Sequence, residues 1–177
     1  MYMQKLLSTV RDIPDFPIQG VIYKDITPIL QDIGLFNYII NALAEKFKDK
    51  KINKIAGIES RGFIFGMPLS LKMNIPFIPI RKEGKLPAKT IGVSYNLEYG
   101  HAAIEIHEDA IKKDERVLII DDILATGGTM AAAIKLIEQI NGNVVAAAFI
   151  LELAFLNGRE KICNKSVEIF SLLKYTE

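Results

Sequence analysis

The residues best suited to chemistry lie in one stretch, residues 117–130, VLIIDDILATGGTM. Four apolar residues run into Asp121 and Asp122, and a small-residue loop, Ala125-Thr126-Gly127-Gly128-Thr129, opens a helical pattern. A helix starting at Gly128 or Thr129 leaves backbone N–H groups unpaired and carries partial positive charge at its start. The loop before it therefore suits a phosphate. Gly127 and Gly128 let backbone approach oxygens closely, and the hydroxyls of Thr126 and Thr129 add donors. Carboxylates facing that phosphate would repel it, so Asp121 and Asp122 are better placed for neighbouring hydroxyls, as on a ribose, or for a hydrated magnesium ion. Adjacent strand residues point to opposite faces, so the two acids need not act equally. A plainer reading has Asp122 and Thr126 simply capping a helix. No Gly-Lys-Ser/Thr follows, and the three-glycine spacing of a dinucleotide site is absent.

Such a loop needs a scaffold, and the hydrophobic pattern predicts one. Residues 33–48 place Phe36, Ile39, Ile40, Leu43, Ala44 and Phe47 at helical spacing. Short continuous apolar strands are expected at 55–58, 77–80, 116–121 and 144–151, with helices at 62–73 and 129–140 between them. Continuous strands interleaved with helices imply a parallel sheet covered on both faces. In such sheets ligands bind beyond the carboxyl ends of the strands, where Asp121 and Asp122 lie. Residues 82–99, rich in Lys, Gly and Pro, fit neither template and are expected to form a lid-like loop. The stretch HAAIEIH after it alternates like an exposed strand.

Composition limits the partners. The 177 residues suffice for one domain with a real core, and no repeat or linker divides them. Lys plus Arg number 22 against 21 acids, so the net charge of +1 offers no general field for nucleic acid or an anionic membrane. The apolar runs are too short to span a bilayer, and the first ten residues do not read as a signal peptide. Cys163 is the single cysteine, which excludes an internal disulfide and suits a reducing cytoplasmic compartment. No His/Cys/carboxylate spacing suggests structural zinc.

Taken whole, the strand, the two acids and Thr-Gly-Gly-Thr resemble the phosphoribosyl pyrophosphate loop of the type I phosphoribosyltransferases. Five further motifs, in order, resemble the adenine phosphoribosyltransferase family: FPIQGVIYKDITPIL from Phe16, IESRGFIFG from Ile58, RKEGKLP from Arg81, YNLEYG from Tyr95 and LNGREK from Leu156. The resemblance implies an α/β fold, a mainly parallel twisted sheet flanked by helices. It also implies one domain over 1–177, with a small purine-binding hood from about 1–32 and 152–177 and a mobile loop over about 82–99. The implied reaction joins adenine to phosphoribosyl pyrophosphate, giving AMP and pyrophosphate. Magnesium (Mg2+) would be held by substrate and water, with no direct protein ligand.

By the same resemblance, Arg81, Lys82 and Lys85 neutralise the pyrophosphate leaving group, a role their charge also fits. Asp121 and Asp122 take the ribose hydroxyls, and Ala125 to Thr129 cradle the 5′-phosphate. Glu98 lies over the reacting centre, as proton acceptor for adenine N9 or as a stabiliser of positive charge on the ribose, and Tyr99 lies near the pyrophosphate. Ile22, Tyr23 and Lys24 form a base-recognition turn, Leu156 covers the other ring face, and Arg61 donates to a ring nitrogen or contacts the sugar-phosphate. Lys24 stands where many members have arginine, and Gln19 where proline is frequent. A homodimer is implied. The rivals are a xanthine, hypoxanthine or orotate enzyme of the same fold, opposed by VIYKDITP and LEYG, and a non-catalytic DNA-binding sensor of phosphoribosyl pyrophosphate, opposed by the lack of an added basic module.

Overall fold

The computed structural model describes residues 2–97, 100–162 and 166–176. The chain divides into two compact units, Met1–Ala42 and Leu43–Glu177. In the first unit, α1 (Tyr2–Thr9) precedes an antiparallel ribbon of β1 (Arg11–Pro14) and β2 (Ile22–Asp25). A short α2 (Thr27–Leu30) follows, and then α3 (Ile33–Phe47), whose later residues pass into the second unit. α3 follows the predicted periodicity, with Leu35, Ile39, Leu43 and Phe47 fully buried.

The second unit is a seven-stranded sheet with helices. In chain order its elements are β3 (Lys54–Ile58), α4 (Arg61–Met73), β4 (Phe77–Lys82), β5 (Thr90–Leu97) and β6 (Gly100–His107). They continue with β7 (Arg116–Leu124), α5 (Gly128–Gln139), β8 (Asn143–Leu153), a 3-10 turn (Ala154–Leu156), α6 (Gly158–Lys161) and β9 (Glu168–Tyr175). The strand order is β5-β6-β4-β3-β7-β8-β9. Five neighbouring strands run parallel, and the β5–β6 hairpin adds an antiparallel edge. Helix α4 packs on β3, β4 and β7, and α5 packs on β5 through β8. That cover explains the unbroken apolar runs: Val117 to Ile120 of β7 and Ala146 to Leu151 of β8 are almost wholly removed from water.

Three expectations need correction. Residues 90–97 are not loop but strand β5, paired with β6 along its length. The period-two signal of Ile91, Val93, Tyr95 and Leu97 was masked by the Lys-, Gly- and Pro-rich residues before it. Strand β7 does not end at Asp121 but continues to Leu124. Its pairing with β3 stops at Ile120 while that with β8 continues, so the acids still lie at the carboxyl end of a neighbouring strand. Finally, β6 is not simply exposed: Ile104, Glu105 and Ile106 are all buried.

Candidate active site

A cleft of about 300 Å3 opens at the carboxyl ends of β3 and β7, lined by Glu59, Arg61, Lys82, Tyr95, Asp121, Asp122 and Thr129. The two acids differ in environment. Asp122 is buried at 2% exposure, and its carboxylate accepts a hydrogen bond from Arg61 Nε at the start of α4. Asp121 is half-buried, and its Oδ1 accepts the Asp122 backbone N–H at 2.9 Å. Burial first, and then the negative charge of Asp122, push the Asp121 carboxyl well above the usual aspartate range. The unequal roles allowed by strand alternation thus become physical: both acids line the cleft, but Asp122 is paired with a guanidinium while Asp121 accepts only a backbone N–H.

Next to this cleft a smaller one, about 70 Å3, is lined by Asp121, Ala125, Thr126, Gly127, Gly128, Thr129 and Met130. Helix α5 starts at Gly128, and its cap is Gly127 at φ +79°, with no side-chain capping bond. The plainer reading, in which Asp122 and Thr126 cap the helix, therefore fails. The N–H groups at the helix start are left to face the cleft rather than a protein carboxylate or hydroxyl. Gly127 has a second reason to lack a side chain. A Cβ there would meet the Gly158 carbonyl oxygen at 2.1 Å, and a Cβ on Gly158 would meet that of Ala125 at 2.1 Å. The loop is thus shaped by backbone laid on backbone. Gly158 belongs to the LNGREK segment, which the sequence alone linked only to the purine.

Behind that contact, Arg159 anchors α6. Its Nε and Nη2 donate to the two oxygens of buried Glu152, at 2.6 and 2.7 Å, and its Nη1 donates to the Ile169 carbonyl at 3.1 Å. One guanidinium joins α6 to β8 and β9.

The RKEGKLP segment forms the cationic wall. Arg81 donates from Nε to Glu59 Oε2 at 3.1 Å and from Nη1 to the Lys85 carbonyl at 2.9 Å. The Lys82 backbone N–H also donates to Glu59 Oε2, at 3.0 Å. Lys82 lines the larger cleft, and Lys85 is exposed. Tyr95, on β5, holds its hydroxyl 3.3 Å from Thr129 Oγ1. Sequence reasoning missed Tyr95, Glu59, Glu105 and the Glu152–Arg159 pair. For Glu59, Tyr95 and Arg159 a signal existed, since all three stand inside the quoted motifs.

The segments expected to hold the purine lie in different units. Ile22, Tyr23 and Lys24 are not a turn but strand β2, because Pro14, Ile13 and Asp12 of β1 pair with them in register. Lys24 is nearly buried and its ammonium sits 2.8 Å from both oxygens of Asp12, the residue directly opposite. Ile22 is exposed, and Tyr23 packs edge-on against Phe16. In the second unit, Leu156 ends the 3-10 turn with its side chain 38% exposed. Glu98, Tyr99 and Cys163 lie outside the described residues.

Residues 25–172 match the model of the phosphoribosyl transferase domain. An adenine phosphoribosyltransferase of Maridesulfovibrio salexigens is 56% identical over 157 residues, 89% of this chain and 92% of that protein. The solved adenine phosphoribosyltransferase of Thermoanaerobacter pseudethanolicus is 46% identical, superposes with a TM-score of 0.93, and is covered to 99% by 98% of this chain. That of Saccharomyces cerevisiae, solved with an imino-altritol bisphosphate and adenine, is 43% identical with a TM-score of 0.91, over 97% of this chain and 98% of its own. The chain belongs to the adenine phosphoribosyltransferase family of the phosphoribosyl transferases.

Proposed function

We infer that this chain is an enzyme that transfers the 5-phosphoribosyl group of phosphoribosyl pyrophosphate to N9 of adenine, giving AMP and pyrophosphate. The observation that carries it is the helix start without a side-chain cap, set beside Asp121, Asp122, Arg61 and Lys82 around one cleft. In the reaction the bond from C1′ to the pyrophosphate oxygen breaks, the N9–C1′ bond forms, and the N9 proton must leave. The residues from Ala125 to Thr129 hold the 5′-phosphate through backbone N–H groups and hydroxyls. Asp121 takes the ribose hydroxyls, with Asp122 and Arg61 fixing its neighbourhood. Arg81, Lys82 and Lys85 neutralise the departing pyrophosphate, where charge develops in the transition state.

Glu98 is the proposed acceptor of the N9 proton, with Tyr99 beside the pyrophosphate. A general base contributes roughly a hundredfold to ten-thousandfold in rate. Glu98→Gln should therefore lose activity nearly as severely as Glu98→Ala, and near-normal turnover of the Gln variant would leave only a positioning role.

Magnesium fits this donor set as a substrate-borne ion. The described residues hold no cluster of three or more acidic, His or Cys ligands, but Asp121 and Asp122 both line the cleft, and a carboxylate there suits the water shell of a hard cation. The ion would supply charge neutralisation on the two phosphates of the leaving group.

Base choice rests on β2. In a two-stranded antiparallel ribbon, alternate residues turn their N–H and C=O away from the partner strand. Such an edge offers adenine's exocyclic amine an acceptor and its ring nitrogen a donor. A 6-oxo purine reverses both, leaving buried polar groups unpaired at roughly 1–3 kcal/mol each. Lys24, tied to Asp12, supports the strand rather than the base, so Lys24→Ala should weaken catalysis without admitting hypoxanthine.

A homodimer belongs to the same reading. Ile64, Met67 and Leu71 of α4, spaced along one helical stripe, expose apolar surface of the kind a second copy covers. A cytoplasmic site of action accompanies it, and no helix among the described residues is long and apolar enough to cross a membrane. The test is a labelled-base assay with phosphoribosyl pyrophosphate across adenine, guanine, hypoxanthine and xanthine. AMP formation should dominate; comparable kcat/KM for adenine and hypoxanthine would overturn the assignment.

A further inference from the structure

The cationic turn owes its shape to a carboxylate that no substrate role explains. The Lys85 backbone N–H donates to the Lys82 carbonyl at 3.3 Å, and Gly84 sits at φ +76°. That is the positive φ which a type II turn needs at its third residue. The two N–H groups that follow, those of Lys85 and Leu86, converge on a single oxygen, Glu105 Oε1, each at 3.0 Å. The Thr90 hydroxyl donates to the other oxygen at 3.2 Å. Glu105 itself is buried at 6% exposure on β6 and forms no ion pair among the described residues.

Successive backbone N–H groups converging on an oxyanion form a nest, the arrangement by which proteins bind external anions. Here the anion is internal. Burial works against its charge, yet the N–H groups of Leu86, Gly84 and Lys85 and the Thr90 hydroxyl hold the Glu105 carboxyl below the usual glutamate range. The opposite end of the segment is held in a similar way, where Glu59 accepts from Arg81 Nε and from the Lys82 N–H.

We propose that Glu105 is a positioning residue for phosphoribosyl transfer. Its carboxylate acts as a built-in anion that folds residues 82–90 into the pyrophosphate-binding form before substrate arrives. The inference rests on the reading that Arg81, Lys82 and Lys85 take the pyrophosphate. Because Glu105 is satisfied by backbone and a hydroxyl rather than by a lysine, the ammonium groups of the turn are not consumed in holding it. An ionised acceptor also makes hydrogen bonds about twice as strong as a neutral one, so a glutamine of the same shape cannot replace it. Half of a glutamine's terminus would present N–H to N–H.

Steady-state kinetics of Glu105→Gln in both directions test this. KM for phosphoribosyl pyrophosphate in synthesis, and for pyrophosphate in the reverse reaction, should each rise about tenfold, the scale of a single charged hydrogen bond lost. KM for adenine should stay within about twofold, because adenine meets none of these groups. Hydrogen exchange should show the Lys85 and Leu86 amides losing protection. Thr90→Val, which removes one donor and keeps the carboxylate, should move the same two constants in the same direction by less, and it decides the matter if the Gln variant does not fold. Unchanged pyrophosphate constants, or an equal rise in every KM, overturn the positioning role. Lys85→Ala separates the two levels. If it raises KM for pyrophosphate while Glu105→Gln does not, only the role of Glu105 fails; if it leaves that KM normal, the underlying reading of the turn fails as well.

Discussion

Two buried carboxylates, Glu105 and Glu152, stand close to the two segments proposed to bind anions and hold their neighbours by different means. Glu105 accepts backbone N–H groups and one hydroxyl, and among the described residues no basic side chain pairs with it. Glu152 is gripped at both oxygens by Arg159, with the Lys174 ammonium 3.7 Å away. The difference fits what each segment must do. A turn carrying Arg81, Lys82 and Lys85 has positive charge in excess and tolerates a negative charge beneath it. The loop of residues 125–129 offers only backbone dipoles and hydroxyls, so an uncompensated carboxylate behind it would work against the phosphate. Cancelling Glu152 with a guanidinium leaves the helix start to set the local field.

Breaking the neutralised pair should have the largest effect on stability. Removing one partner of a buried ion pair costs about 3–5 kcal/mol. Arg159 keeps 36% of its side chain exposed, so Arg159→Met should cost nearer 2–3 kcal/mol, or about 4–12 °C in Tm. Arg159→Lys should recover only part of this, since an ammonium cannot bridge both oxygens. Calorimetry of the three proteins at neutral pH measures it.

A somewhat smaller loss is expected from the steric side of the comparison. Gly158→Ala places a Cβ against the Ala125 carbonyl, and overpacking of this kind costs about 1–3 kcal/mol. Because the strain falls on the phosphate loop, KM for phosphoribosyl pyrophosphate should rise more than KM for adenine. Equal rises would mean that α6 and the loop are not mechanically joined.

The pH dependence separates the pair further. The hydrogen bond from Arg159 is the main cause that holds Glu152 below the usual glutamate range. A depressed folded-state pKa contributes stability that is complete above the unfolded value and is lost as pH falls through the folded one. In Arg159→Met the same buried carboxyl keeps only the more distant Lys174 ammonium, and acid neutralises it at a smaller loss. The gap in Tm between the two proteins should therefore narrow as pH drops below the ordinary glutamate range. A constant gap would show that Arg159 acts through packing alone.

The smallest effect is expected at Tyr95. Its hydroxyl shares one hydrogen bond with Thr129 at the phosphate loop, and Tyr95→Phe should cost about 0.5–1.5 kcal/mol in phosphoribosyl pyrophosphate affinity, with stability little changed. Isothermal titration reads this directly, and an unaltered affinity would leave Tyr95 as a wall of the cleft only.

Much of the second unit was readable in advance, for a physical reason. Strands β3, β7 and β8 are buried on both faces and so carry unbroken apolar runs, β4 carries a short one with one face less buried, and α3, α4 and α5 carry the 3.6-residue period. β1, β2 and β9 lack that signature: the first two form a short ribbon with exposed residues, and β9 is an edge strand of intermediate burial. Strand β5 was hidden by the composition of the turn preceding it. At the site, Asp121, Asp122 and the glycine loop announced themselves because their chemistry is contiguous in the chain. Glu59 stands inside a quoted motif, but it is bonded to residues 22 and 23 positions away, which no local pattern names, and Glu105, bonded to residues as far as 20 away, carries no local mark at all.

The sequence by itself determined the order of apolar strands, the acids at the end of one, the glycines before a helix and the basic residues of the turn, because each follows from neighbours or from a short period. Only the tertiary structure decided which carboxylate meets which donor. Arg81 falls opposite Glu105 by strand register, yet its guanidinium goes to Glu59, while Glu105 collects the backbone of the turn. Likewise Gly158 finds the phosphate loop through the close approach of two backbones separated by some thirty residues, 127 and 158. Such pairings depend on the register and crossing of distant segments, and on the burial that makes an unpaired charge costly, and those exist only once the sheet has closed.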